Sequence, residues 1–278
     1  MRCVRLGMLA AFAFLQVFAQ VSSPPLSQNK TRKIIPPHFG MIREKIEYYD
    51  GTATSTNWSG YALVGSTFQW AAGSWIVPAA NCTGVLGNKF AGFWVGLDGY
   101  NSTTVEQIGT LTNCAKTNPY YYAWYEFYPQ PMAIITSVPI RPGDHISASV
   151  VYDSFSAKFA LTIKDDTTGK YFVVDSTAPG ALRSSAEWIA EAPCCTSSGG
   201  ILPLTDFSTV TFGLDHTGVK DTNTAMDTSI AAAIGGFPPA NTIEINKTSS
   251  PSSQPTSTCS ALSSNGTSFS CKWKGLGR

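Results

Sequence analysis

Apolar and polar residues alternate along this chain in short runs whose length and spacing are those of β-strands. Such runs occur at 58–64, 73–77, 90–97, 120–128, 145–152, 158–164, 171–175, 210–214 and 242–245, separated by Gly, Pro, Asn and Asp. Short runs bounded by turn formers, with no long amphipathic helical pattern between them, predict an all-β sandwich. Segments 158–164 and 171–175 flank Asp165-Asp166-Thr167-Thr168-Gly169 and are expected to pair as a hairpin. The Ser/Pro-rich stretch 249–257 reads as a surface loop, and no internal repeat is visible.

The pattern changes before residue 57. Residues 1–19 have Arg2 and Arg5, then an apolar core from Leu6 to Leu15, then Val17 and Ala19 before Gln20. That order is the one expected of a secretory signal peptide, and the apolar run is short for a membrane span. Residues 20–50 carry Pro24-Pro25 and Pro36-Pro37 and read as a basic leader, either a propeptide or a disordered arm. The expected organisation is therefore signal 1–19, leader 20–50 and one β-sandwich domain at 51–278. A secreted, extracellular monomer with no membrane partner follows as the expectation.

Composition supports export and narrows the partners. Seven Lys/Arg and three acids precede Gly51, leaving 12 basic and 15 acidic residues after it. A net charge of +1 gives no basic face for nucleic acid. Charged residues are 13 % of the chain, about half of ordinary usage, so few ion pairs are lost on acidification. Once Cys3 leaves with the signal, Cys82, Cys114, Cys194, Cys195, Cys259 and Cys271 remain as an even, disulfide-forming set. Cys259–Cys271 is the pairing best supported, because Ser264-Asn265-Gly266 between them reads as a hairpin turn. No Cys-x-x-Cys pair exists and only three His are present, which argues against zinc.

Common hydrolase signatures are missing. There is no Gly-x-Ser-x-Gly elbow, no His-Glu-x-x-His and no Asp-Thr-Gly or Asp-Ser-Gly triplet. His38, His145 and His216 are isolated in sequence and suit structural roles. Three strands instead place acids beside aromatics. Alternation puts Trp94 with Asp98 on one face of 93–99, Trp124 with Glu126 and Tyr128 on one face of 124–128, and Glu187 with Ile189 and Glu191 on one face of 186–191. These are either three ordinary strands with one wet face each or one aromatic-lined cleft. Paired carboxylates raise a glycosidase, but Glu187 and Glu191 would stand about 13 Å apart along a strand. That exceeds the roughly 5–9.5 Å such enzymes use, although Glu126 with Glu191 stays open.

Six segments in order carry a more specific resemblance. They are Asn57-Trp58-Ser59-Gly60-Tyr61, Trp75-Ile76-Val77-Pro78, Trp94-Val95-Gly96-Leu97-Asp98-Gly99, Glu106-Gln107-Ile108-Gly109-Thr110, Ala123-Trp124-Tyr125-Glu126-Phe127-Tyr128-Pro129 and Ala186-Glu187-Trp188-Ile189-Ala190-Glu191. Together they resemble the glutamic peptidases, or eqolisins. The resemblance implies two packed antiparallel sheets in a concanavalin-like jelly roll, polypeptide substrates, insensitivity to pepstatin, and no cofactor or metal. It implies a catalytic dyad of Gln107 and Glu191, with Trp58, Trp94, Asp98, Glu126, Tyr128 and Glu187 lining or supporting the cleft. Glu191 as carboxylate would take a proton from water, and the Gln107 amide would stabilise the oxyanion. The chain departs from the fungal pattern at Leu111, where those members carry Asp, and at Tyr122, where they carry a polar residue. The alternative function is a carbohydrate-binding or glycoside-hydrolysing sandwich using the same aromatic cleft.

Overall fold

The computed structural model describes residues 47–49, 51–65, 67–83, 87–115, 118–194, 200–213, 223–248 and 255–276, the first three by backbone alone. The signal, nearly all of the leader, His38, His216 and Cys195 lie outside the described residues. In chain order the strands are β1 (Glu47–Tyr49), β2 (Thr52–Ser55), β3 (Trp58–Val64), β4 (Trp70–Ile76), β5 (Asn88–Leu97) and β6 (Val105–Ala115). Then come β7 (Asn118–Tyr128), β8 (Ala133–Ile135), β9 (His145–Asp153), β10 (Lys158–Asp165), β11 (Lys170–Ser176) and β12 (Ser185–Glu191). The last are β13 (Thr209–Phe212), β14 (Thr224–Met226), β15 (Ala231–Ala233), β16 (Thr242–Lys247), β17 (Pro255–Cys259) and β18 (Phe269–Leu276). No helix among the described residues is long and apolar enough to cross a membrane.

Pairing sorts these strands into two layers. One sheet runs β1–β2–β16–β3–β12–β5–β6–β7–β8, antiparallel except for β2 beside β16. The other runs β11–β10–β9–β4, and β4 continues to β14–β15 and to β13–β18–β17. A single residue pair, Lys247 with Ser257, joins the layers at the β16–β17 seam. The expected hairpin is β10–β11, turning over residues 166–169. The expected Cys259–Cys271 bridge is present, and Cys82 is bonded to Cys114. The reading of 249–257 as a loop fails at its end, because residues 255–257 open β17; 249–254 lie outside the described residues.

Period-two patterning explains the layering. On β5, Phe93, Val95 and Leu97 enter one buried cluster with Ile146, Ala148 and Val150 of β9 and Phe159, Leu161 and Ile163 of β10. That cluster is the core between the sheets, and burial of this apolar area is the main stabilising term. Two indoles tie the layers by their polar ends. Trp75 of β4 donates to Thr110 Oγ1 of β6 at 3.0 Å, and Trp188 of β12 donates to the Ala72 carbonyl at 2.7 Å. The opposite face of the first sheet carries a second cluster with Trp58, Phe90, Trp94, Leu111, Trp124 and Ile189. The residues expected to carry chemistry lie on this second face.

Candidate active site

Strand register sets the site out as rows across β3, β12, β5, β6 and β7. Ala62, Glu187, Gly96, Gln107 and Glu126 form one row. Gly60, Ile189, Trp94, Gly109 and Trp124 form the next, and Trp58, Glu191, Gly92, Leu111 and Tyr122 the third. Gln107 and Glu191 are therefore two rows apart, about 13 Å along the strand direction, with β5 between them. The Trp94 side chain spans that interval. Its Nε1 donates to Glu191 Oε2 at 2.8 Å. At its other end, Cζ3 would be 2.9 Å from a Cβ placed on Gly96, which itself would be 3.3 Å from Gln107 Cβ. Glycine at 109 lets Trp94 lie this way, since a Cβ there would meet Trp94 Cβ at 2.6 Å and the Phe93 carbonyl at 2.2 Å.

Gln107 and Glu191 each have their own support. Gln107 Nε2 donates to Glu126 Oε2 at 2.6 Å, leaving its second amide hydrogen and its Oε1 unpaired within the protein. Glu191 accepts from Trp94 and from Asn57 Nδ2, the latter at 3.2 Å; Asn57 is held in turn by Ser55 Oγ at 3.0 Å. Trp58 packs edge-on to Trp94 at 5.1 Å, and its indole also favours the ionised form of Glu191 without hydrogen-bond geometry. Gln107, Glu191 and Glu126 are all at most 5 % exposed, so desolvation governs the protons of the two carboxyls. Burial pushes Glu191 up to about 7 against the pull of the Trp94, Trp58 and Asn57 donors. Burial, then the charge of Glu191, raises Glu126 well above the usual range, with the Gln107 amide opposing. Glu126 therefore holds its proton more tightly than an ordinary carboxyl does. Trp58 Nε1, Trp124 Nε1, Gln107 Oε1 and Glu126 Oε1 have no protein partner although buried, an unusual concentration of unmet polar atoms.

The remaining site residues fall into two groups. Tyr128 is half-buried against the second apolar cluster, at the end of β7. Asp98 lies just past the end of β5, where strand alternation no longer fixes a face. Its φ of 68° ends β5, and its carboxyl group accepts from Arg183 N, Ser184 N and Ser184 Oγ at 2.7, 3.0 and 3.2 Å. Asp tolerates this left-handed turn better than most residues. Glu187 is fully buried; burial first, then the charges of Asp98 and Glu106, push it well above the usual range. Glu106 joins the same group, pushed up to about 9 by burial and then by Asp98. Alternation assigns Glu106 to the face opposite Gln107, so no expectation attached to it. Asn57 likewise had a place in a motif but no role.

Residues 56–273 match the Peptidase A4 family, and the chain belongs to it. Aspergillopepsin-2 of Aspergillus niger is 30 % identical over 203 residues, covering 64 % of this chain and 70 % of that protein. Scytalidopepsin B of Scytalidium lignicola is 32 % identical over 183 residues, covering 63 % of this chain and 66 % of that protein. In fold, the chain is similar to scytalido-glutamic peptidase solved with a transition state analog inhibitor, with TM-score 0.64 and 24 % identity over 79 % of this chain and 98 % of that one. It is also similar to aspergilloglutamic peptidase from Aspergillus niger, with TM-score 0.54 and 22 % identity over 67 % of this chain and 99 % of that one. The β-sandwich and the glutamic peptidase family expected from the ordered motifs are thus both established.

Proposed function

We propose that this chain is a secreted endopeptidase that cleaves polypeptides in acid with Gln107 and Glu191. The observation that carries the reading is the environment of Glu191. It is one buried carboxyl, held at both oxygens by N–H donors, on the same face of the sheet as an amide with a free donor and a free acceptor. The base role expected of Glu191 needs refinement. With its proton held to about 7, the carboxyl is largely protonated in acid. In that form one oxygen gives its proton to the scissile carbonyl oxygen while the other accepts a proton from the attacking water. The carboxyl ends this step protonated; it then passes its proton to the amine nitrogen as the C–N bond breaks and takes a proton from one hydroxyl of the gem-diol, releasing the acid and restoring its starting form. The free N–H of Gln107 stabilises the developing charge on the carbonyl oxygen, a contribution of about 2.7–4 kcal/mol for one such donor. Glu126 fixes the amide in place. Pepstatin insensitivity is expected, because no paired aspartates take part.

Glu191→Gln and Gln107→Ala should each lower kcat by at least about a hundredfold while circular dichroism and urea unfolding stay near wild type. Either variant retaining wild-type kcat in a folded domain would remove that residue from the mechanism. Because the proton on Glu191 is required, kcat/KM should hold in acid and fall as pH rises through about 7. A rate that instead climbs through that range to an alkaline plateau would make Glu191 a simple base. N-terminal sequencing of exported protein, before and after acidification, tests the signal at 1–19 and an inhibitory role for the basic leader at 20–50.

A further inference from the structure

Four glycines stand on the cleft face of the central strands, and three are explained by the chain itself. A Cβ on Gly60 would lie 2.0 Å from the Trp188 carbonyl oxygen, one on Gly96 2.9 Å from Trp94 Cζ3, and one on Gly109 2.2 Å from the Phe93 carbonyl oxygen. Gly92 is different. A Cβ there would meet Leu111 Cδ1 and Trp94 Cδ1 at 3.8 Å and Glu191 Cβ at 4.0 Å, which are ordinary contacts. Its φ is not in the left-handed region either. Glycine inside a strand weakens it and commonly marks a place where a ligand approaches closely. Neither packing nor backbone geometry accounts for the missing side chain at 92.

We infer that Gly92 and Leu111 form the floor of a subsite beside Glu191 that selects a bulky apolar side chain next to the scissile bond. This rests on Glu191 being the catalytic carboxyl. The walls agree in chemistry. Trp94 and Trp58 stand on one side, and Tyr122 lies across from Leu111 on β7. Phe90 and Leu202 extend the same apolar cluster beyond Gly92. Glu191 and Tyr122 are the ionisable groups named around the notch; burial raises both, so in acid Glu191 is largely neutral and the Tyr122 phenol uncharged. A lysine, arginine or aspartate side chain would lose its hydration there without gaining a counter-charge. Phenylalanine, leucine and methionine lose nothing comparable and bury apolar area. Selection among apolar residues comes from volume, since Gly92 leaves space that any larger residue at that position would fill.

The test is a set of peptides identical except at the two residues flanking the cleaved bond, carrying Phe, Leu, Ala or Lys there, assayed in acid. Wild type should favour Phe or Leu over Ala by roughly 10- to 200-fold at one flanking position, with Lys poorest. Gly92→Ala shrinks the notch and should cut the Phe/Ala ratio at that position by about tenfold or more. Leu111→Ala deepens the notch and should move the preference the other way, toward Trp over Leu; it serves as the second probe should Gly92→Ala unfold. Urea midpoints establish folding for each variant. If Glu191→Gln is inactive yet both ratios stay at their wild-type values in folded variants, the subsite assignment is overturned while the dyad stands. If Glu191→Gln cleaves normally, the dyad itself falls.

Discussion

Asn57 shows how a residue can be visible in a motif without its role being visible. It sits just before β3, between Ser55 and Trp58, and its Nδ2 reaches Glu191, on a strand 134 residues away in sequence. Alternation tells which face a strand residue occupies, but Asn57 lies outside the strand, where alternation says nothing. The face that Gln107, Glu191 and Trp94 occupy was legible because a regular strand fixes it, and their proposed roles come from the ordered motifs. Asp98 was half legible: it stands in an ordered motif, but its turn geometry does not follow from strand periodicity. Replacing Asn57 with Ala removes one of the donors that pull Glu191 toward ionisation. The Glu191 proton should then be held more tightly, and the alkaline limb of the kcat/KM profile should move to higher pH. In acid, where Glu191 is already largely protonated, the lost bond is one to a neutral carboxyl, worth about 0.5–1.5 kcal/mol, so activity there should drop by no more than about tenfold. A limb that stays in place or moves down would show that Asn57 does not tune Glu191.

At the scale of elements, the strand pattern was readable wherever apolar positions alternate. The run at 158–164 and its partner at 171–175 became β10 and β11, in register from Phe159 with Ser176 to Asp165 with Lys170. Strand β17 was misread because its composition, Pro-Thr-Ser-Thr-Cys, is that of a loop. Pro255 is tolerated as its first residue, a place where a missing N–H costs little, and the partner β18 supplies the order. How β5 and β6 pack their shared face was not readable, because it depends on Trp94 lying over glycines from two strands. Gly109→Ala tests that arrangement. The added Cβ meets the Phe93 carbonyl at 2.2 Å, and backbone cannot swing aside as a side chain can. Overpacking of this kind costs about 1–3 kcal/mol or more. The urea midpoint should fall by a corresponding amount, and activity should fall with it as Trp94 is displaced from Glu191. A variant with wild-type stability and rate would show that the indole has another way to lie.

Across the whole molecule, the cleft sheet carries more acid in its interior than neutral pH favours. Glu106, Glu126 and Glu187 are each at most 3 % exposed, and Glu191 is 5 % exposed. All four hold their protons more tightly in the folded protein than a carboxyl does in an unfolded chain, chiefly through burial. Linkage fixes the sign: the folded form binds more protons, so stability declines as protons become scarce. The contribution is complete below the unfolded carboxyl value of about 4.5 and is lost as pH rises, through about 7 for Glu191 and about 9 for Glu106. This is the reverse of ordinary acid denaturation, in which ionised, paired carboxylates are forced to take up protons. The wild-type urea midpoint should therefore be highest near about pH 4 and fall steadily toward about pH 8. Glu106→Gln with Glu187→Gln mimics the protonated forms of two of these groups without touching the dyad. That double variant should unfold over a flatter pH dependence and gain on the wild type most at the alkaline end. A wild-type midpoint that rises between about pH 4 and pH 7 would mean that the buried acids are ionised in the fold and stabilised by partners, and the proposed acid activity would then need another origin.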